Sequence, residues 1–162
     1  MNPLLTDTSR SGPVSTKTSR REGRENAMQI LYAYEFRGEN ILSILDDVMD
    51  SFGEPTHSFV KDLVTQTIRH QDGLDELIRY HARNWEVDRI AMLDRILLRL
   101  GVCEFLHFED VPPKVSINEI IEIAKRYSTD QSSRFINGVL DSVLEDLRNR
   151  GQIRKTGRGV VD

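Results

Sequence analysis

The residues of this chain that could do chemistry are few and badly spaced for catalysis. His57, His70, His81 and His107 form no H-E-x-x-H pattern, and Cys103, the single cysteine, has no C-x-x-C partner. Zinc ligation therefore has almost no support. His81 and Cys103 both fall on apolar stripes, where hydrogen-bonded packing and a small buried hydrophobe are the expected roles. The pairs Asp46-Asp47 and Asp75-Glu76 are adjacent, which turns their side chains about 100° apart on a helix. They read as solvated faces, not as acid/base couples. There is no Walker loop and no dinucleotide glycine fingerprint, so no cofactor is expected and the protein is not read as an enzyme.

Binding is left. The stretch SRREGRENAMQILY, Ser19 to Tyr32, loads Arg20, Arg21 and Arg24 onto the first turns of a helix. A helix amino terminus carries partial positive charge, so exposed cations there are unfavourable by roughly 0.3–1 kcal/mol each. Arg20 and Arg24 are four apart and share a face, with Arg21 beside them. A docked polyanion would supply the missing negative charge, and backbone N–H groups at the same terminus would help to hold it. Hydrated arginines on a frayed first turn are an equally good reading from charge alone.

Charge along the chain is uneven. The net charge is −4 over 162 residues. Yet Arg10, Lys17, Arg20, Arg21 and Arg24 face only Asp7 and Glu22 in the first 24 residues, and Arg148, Arg150, Arg154, Lys155 and Arg158 have no acid among them. Both ends are basic around an acidic middle, which permits local nucleic-acid contact. No apolar run is long enough to span a bilayer, and the start of the chain lacks an apolar signal region. With one cysteine, no internal disulfide can form, so a reducing, cytoplasmic setting is expected.

The elements that must position these residues are all helical. Residues 1–18 read as a disordered basic arm. Ser19 is a plausible cap for a first helix with Ala27, Ile30, Leu31 and Tyr34 as its buried stripe, ending at Gly38. Asn40 can cap a second helix (Ile41 to Met49), and Thr56 a long third one running past Gly73 to His81. A fourth follows Trp85, and its consecutive Ile96, Leu97 and Leu98 suit a central element. After the VPPKV connector, Ser116 and Glu119 form an S-x-x-E capping box. The last helix starts near Thr129 or Asp130, and Gly138 within it should mark close packing against another helix. Residues 149–162 read as a flexible basic tail. No segment alternates with period two, so the fold class is all-α.

Three stretches in order, RREGRENAMQILYAYEF, VPPKVSINEIIEIAKRYS and SSRFINGVLDSVLEDL, are together specific. Over residues 19–148 the chain resembles the NusB family of bacterial transcription antitermination factors. The resemblance implies two packed three-helix subdomains. It implies a non-catalytic factor that binds the boxA element of nascent ribosomal RNA together with NusE, a small-subunit ribosomal protein. It also implies work within the RNA polymerase elongation complex with other Nus factors, and a possible homodimer. By motif, RNA contacts fall on Arg20, Arg21, Arg24, Gln131, Ser132, Arg134 and Phe135. Phe135 offers a stacking ring, although its position on the core stripe favours burial. Tyr32, off the core stripe, matches a family tyrosine near the NusE surface. Two features depart from the motif: Glu22 interrupts the basic track, and the tail from Arg148 to Arg158 lies outside it. Related modules precede the catalytic domain of some RNA cytosine methyltransferases, an activity for which a chain ending at Asp162 has no expected room. The alternative reading is a helical protein-interaction or dimerisation module in which RNA is secondary.

Overall fold

A computed structural model describes residues 16–37, 45, 56–82 and 89–160. Its elements are α1 (Thr16–Arg37), α2 (Thr56–Arg69), α3 (Gln71–His81), α4 (Met92–His107), α5 (Pro113–Tyr127) and α6 (Asp130–Asn149), followed by a short 3-10 turn, Gly157–Val160. The helix expected after Asn40 and the approach through Trp85 lie outside the described residues, apart from the buried Leu45. The described residues contain no strand. None of their helices is long and apolar enough to cross a membrane.

The organising element is α4. Every residue from Ile96 to Phe105 is buried, because α1, α2, α3, α5 and α6 all pack against it. A helix apolar all round needs neighbours all round. Two charges interrupt that run, Arg99 and Glu104, and both are paired. Arg99 donates to Asp75 of α3 (Nε–Oδ1 2.7 Å) and to Glu35 of α1 (2.9 Å), tying three helices together. At Gly101 two helices approach closely: a Cβ there would stand 2.8 Å from Leu140 Cδ2 of α6. Gly138, expected to play this part, has open space around it, so the close approach belongs to Gly101 instead.

Three helix starts differ from the sequence reading. Helix α1 begins at Thr16, so Ser19 lies inside it. The long third helix is two helices, interrupted at His70, whose φ of −105° and ψ of 13° depart from helical geometry. The His70 ring stacks on His107 at the end of α4, 4.1 Å between centroids; Gly73 is not the break. Helix α5 starts at Pro113, where a missing N–H costs nothing. Ser116 and Glu119 therefore sit beyond the first turn and face other helices instead of capping their own. Thr129, in contrast, caps α6 as its residue type suggests, its Oγ1 accepting from the Ser132 N–H at 3.0 Å.

Beyond α6 the chain is docked, which the reading as a flexible tail did not anticipate. Gly151, at φ +68°, reverses the backbone, and the Gln152 N–H donates to the Leu147 carbonyl. Ile153 packs on the core. Lys155 donates to the carbonyls of Glu104 (3.0 Å) and Phe108 (2.7 Å), placing a cation at the negative end of α4. Gly159 presses its backbone on Glu109, leaving no room for a Cβ.

Candidate nucleic-acid interface

Helix α1 presents its three arginines in three different states. Arg24 is 1% exposed. Its Nε and Nη2 donate to both oxygens of Glu104 on α4, at 2.9 and 2.7 Å, and Ser116 of α5 adds a hydroxyl at 3.0 Å. Burial disfavours the charged guanidinium, but the charge and hydrogen bonds of Glu104 outweigh it, so the pKa of Arg24 is raised. Read from the sequence as a phosphate donor, Arg24 is instead enclosed between helices, with no face open to a ligand.

Arg21 and Arg20 reach the surface. Arg21 makes a fork with Glu119 of α5, Nε–Oε2 2.6 Å and Nη2–Oε1 3.0 Å, while 42% of its side chain stays accessible. Arg20 donates to the exposed Asp110 in the α4–α5 loop at 2.7 Å, and 34% of the Arg20 side chain is accessible. The guanidinium carbons of Arg20 and Arg24 lie 5.1 and 5.2 Å from the centroid of the Phe59 ring. That aromatic face helps to hold them in register. Glu22, one position on, is exposed. Beside this row, Glu25 accepts from Arg126 at 2.6 Å and from the Tyr127 hydroxyl at 3.3 Å. Arg21, Glu25, Glu122, Lys125 and Arg126 line a groove of about 350 Å³.

A second depression, about 210 Å³, opens at the start of α6. Gln131, Ser132 and Phe135 line it together with Arg89, Asp94 and Thr129. The half-buried Phe135 ring also packs against the core. Arg134, its neighbour in sequence, is exposed and does not line this depression. At the far end of α1, Tyr32 and Phe36 are 41% and 68% exposed, with ring centroids 4.9 Å apart. One helical turn thus carries an aromatic pair on the outside, while Ala27, Ile30 and Leu31 face the core.

Residues missed in the sequence are mainly acids. Glu104, Glu119 and Asp110 decide what each α1 arginine can do, yet all lie 80 or more positions away. One signal was available: a glutamate set between Cys103 and Phe105, in the most apolar stretch of the chain, demands a buried cation.

The remaining reactive groups behave as packing. His81 bonds Ser142 (2.7 Å) and Asp146 (2.9 Å), joining α3 to α6. Cys103 is fully buried, and burial pushes its thiol pKa up to about 12. A thiol-specific disulfide reagent at pH 8 is therefore expected to leave the native protein unlabelled and to react only as denaturant opens the core. Stoichiometric labelling in buffer within minutes would contradict that placement.

These features define an all-α binding module, built on one helix that is basic at its start and aromatic at its end. Residues 21–145 match the NusB family. The chain belongs to this non-catalytic family of transcription antitermination factors. It is 47% identical to the transcription antitermination protein NusB of Salinibacter ruber, over 89% of this chain and 92% of that one. It is 45% identical to the protein of the same name from Chloroherpeton thalassium, over 89% and 70% respectively. Among solved structures, it is similar to one chain of a crystal structure of antitermination factors NusB and NusE in complex with double-stranded RNA. That likeness has a TM-score of 0.71 and 27% identity, over 79% of this chain and 97% of the other.

Proposed function

We propose that the protein acts in the cytoplasm as an antitermination factor, binding the single-stranded boxA element of nascent ribosomal RNA jointly with NusE. In this reading the pair then joins the RNA polymerase elongation complex with other Nus factors. The observation that carries the reading is the division of α1. Arg20 and Arg21 keep accessible guanidinium groups at its start, and Tyr32 and Phe36 leave an exposed aromatic pair towards its end. Arg20 exchanges the exposed Asp110 for an RNA phosphate, and Arg21 meets one with its accessible edge while Glu119 holds the other. Arg24 does not touch RNA; held by Glu104, it fixes the helix that carries the other two. Gln131, Ser132 and Phe135 line a depression able to receive a splayed base, with Arg134 at its approach as a phosphate donor. Tyr32 and Phe36 bind the protein partner, since exposed paired aromatics are typical interface anchors.

Titrating labelled boxA RNA with this protein, with and without NusE, tests the reading. Binding by the protein alone is expected to be measurable and to tighten when NusE is present. Equal affinity for boxA and an unrelated RNA, unchanged by NusE, would refute it. A concentration-dependent dimer indifferent to RNA would favour self-association through the aromatic pair.

A further inference from the structure

The arginines that stand out in the sequence are already spoken for. Arg20, Arg21, Arg24, Arg99, Arg126 and Arg150 each hold a carboxylate. Arg154 and Arg158 do not: both are exposed, and neither pairs with an acid among the described residues. They lie in the docked segment beyond α6, outside the stretch that matches the family.

That segment has a fixed place. Lys155, between the two, is turned inward onto the carbonyls of Glu104 and Phe108, so its neighbours project from an anchored backbone. The Thr156 N–H donates to the Glu109 carbonyl at 2.9 Å, and the Gly159 N–H closes the last turn on Thr156. A Cβ on Gly159 would stand 3.2 Å from the carbonyl carbon of Asp110. Asp110 is the residue that holds Arg20, Oδ2–Nη2 2.7 Å. The tail thus lies against the loop that abuts the start of α1, and Arg158 is the next residue to that contact.

We infer that the docked C-terminal segment is a second phosphate-binding strip, with Arg154 and Arg158 extending the α1 surface along a single-stranded RNA. The inference rests on the RNA-binding reading above. Three physical points support it. Unpaired exposed cations contact a polyanion without first giving up a carboxylate, unlike Arg20. The anchored backbone loses less conformational freedom on binding than a free tail would. The segment also contacts the Glu109–Asp110 loop, whose Asp110 holds Arg20, and this joins it to the α1 surface.

The test compares the full-length protein with R154A/R158A, using one single-stranded RNA that carries boxA and extends beyond it. Both side chains are exposed, so the fold and its unfolding midpoint should be unchanged. Losing two phosphate contacts should reduce the slope of log affinity against log salt by about 1.4 and weaken binding at low salt. An unchanged slope, with the parent protein binding normally, would overturn the role of the tail and leave the RNA-binding reading intact. Failure of the parent protein to bind this RNA at all would overturn both.

Discussion

Replacing Arg24 with Ala is expected to destabilise the protein by about 3–5 kcal/mol, the usual cost of stripping one partner from a buried ion pair. The side chains of Arg24 and Glu104 are 2% and 0% exposed. Without the guanidinium, Glu104 would keep the Ser116 hydroxyl and little else, inside a helix otherwise buried from Ile96 to Phe105. Domains of this size are typically stable by about 5–15 kcal/mol, so the variant would approach the threshold of folding. Denaturant unfolding should show the midpoint falling with little change in slope. R24M/E104L, which removes both charges and keeps volume, should recover much of the loss, because a buried pair replaced by apolar residues is often close to neutral. A midpoint for R24A within error of the parent would mean that this arginine is not an internal strut.

The same geometry separates Arg24 from its neighbours. Arg21 is held through two of its nitrogens by a buried Glu119, yet much of its side chain meets solvent. Arg20 is paired with an exposed Asp110. An exposed pair such as Arg20–Asp110 contributes little to stability, about 0–1 kcal/mol, so a phosphate can displace that carboxylate at small cost. Arg21 instead meets a phosphate with its accessible edge and keeps Glu119 as its partner. The pairing has a use before RNA arrives. It holds each long side chain in one place, beyond the first turn of a helix that begins at Thr16. The basic helix start therefore makes sense twice, once through its own carboxylates and once through the proposed ligand.

Much of the scaffold was legible in the residues. The periodicity of Ala27, Ile30 and Leu31, the continuous apolar run of α4 and the Thr129 cap follow from local rules, and the structure keeps them. What local rules missed was set by distant partners. His70 breaks a helical pattern where its ring stacks on His107. Ser116 and Glu119 have capping-box spacing but spend their side chains on Glu104 and Arg21. Gly101 rather than Gly138 carries the close helix approach, because Leu140 faces the first and nothing faces the second. The arginine row shows the same limit most clearly. Three cations at positions 20, 21 and 24 look equivalent on paper, and only the acids arriving from α4, α5 and the loop between them separate a strut from two candidate donors. The tail was read as free because its anchor is a lysine on backbone carbonyls, an interaction that leaves no spacing signature.

The proposed division of α1 makes its strongest claim on RNA binding by R20Q/R21Q. Glutamine keeps a donor for Glu119 and Asp110 but removes the charge that a phosphate would meet. The most direct measurement is the affinity of the parent and this variant for boxA RNA, each over a series of salt concentrations. With two phosphate contacts gone, the variant should bind more weakly at low salt, and its slope of log affinity against log salt should be shallower by about 1.4. Its unfolding midpoint should fall by much less than that of R24A, because glutamine keeps a donor for the buried Glu119. Identical affinity and identical slope would contradict the account and move the RNA surface away from the start of α1.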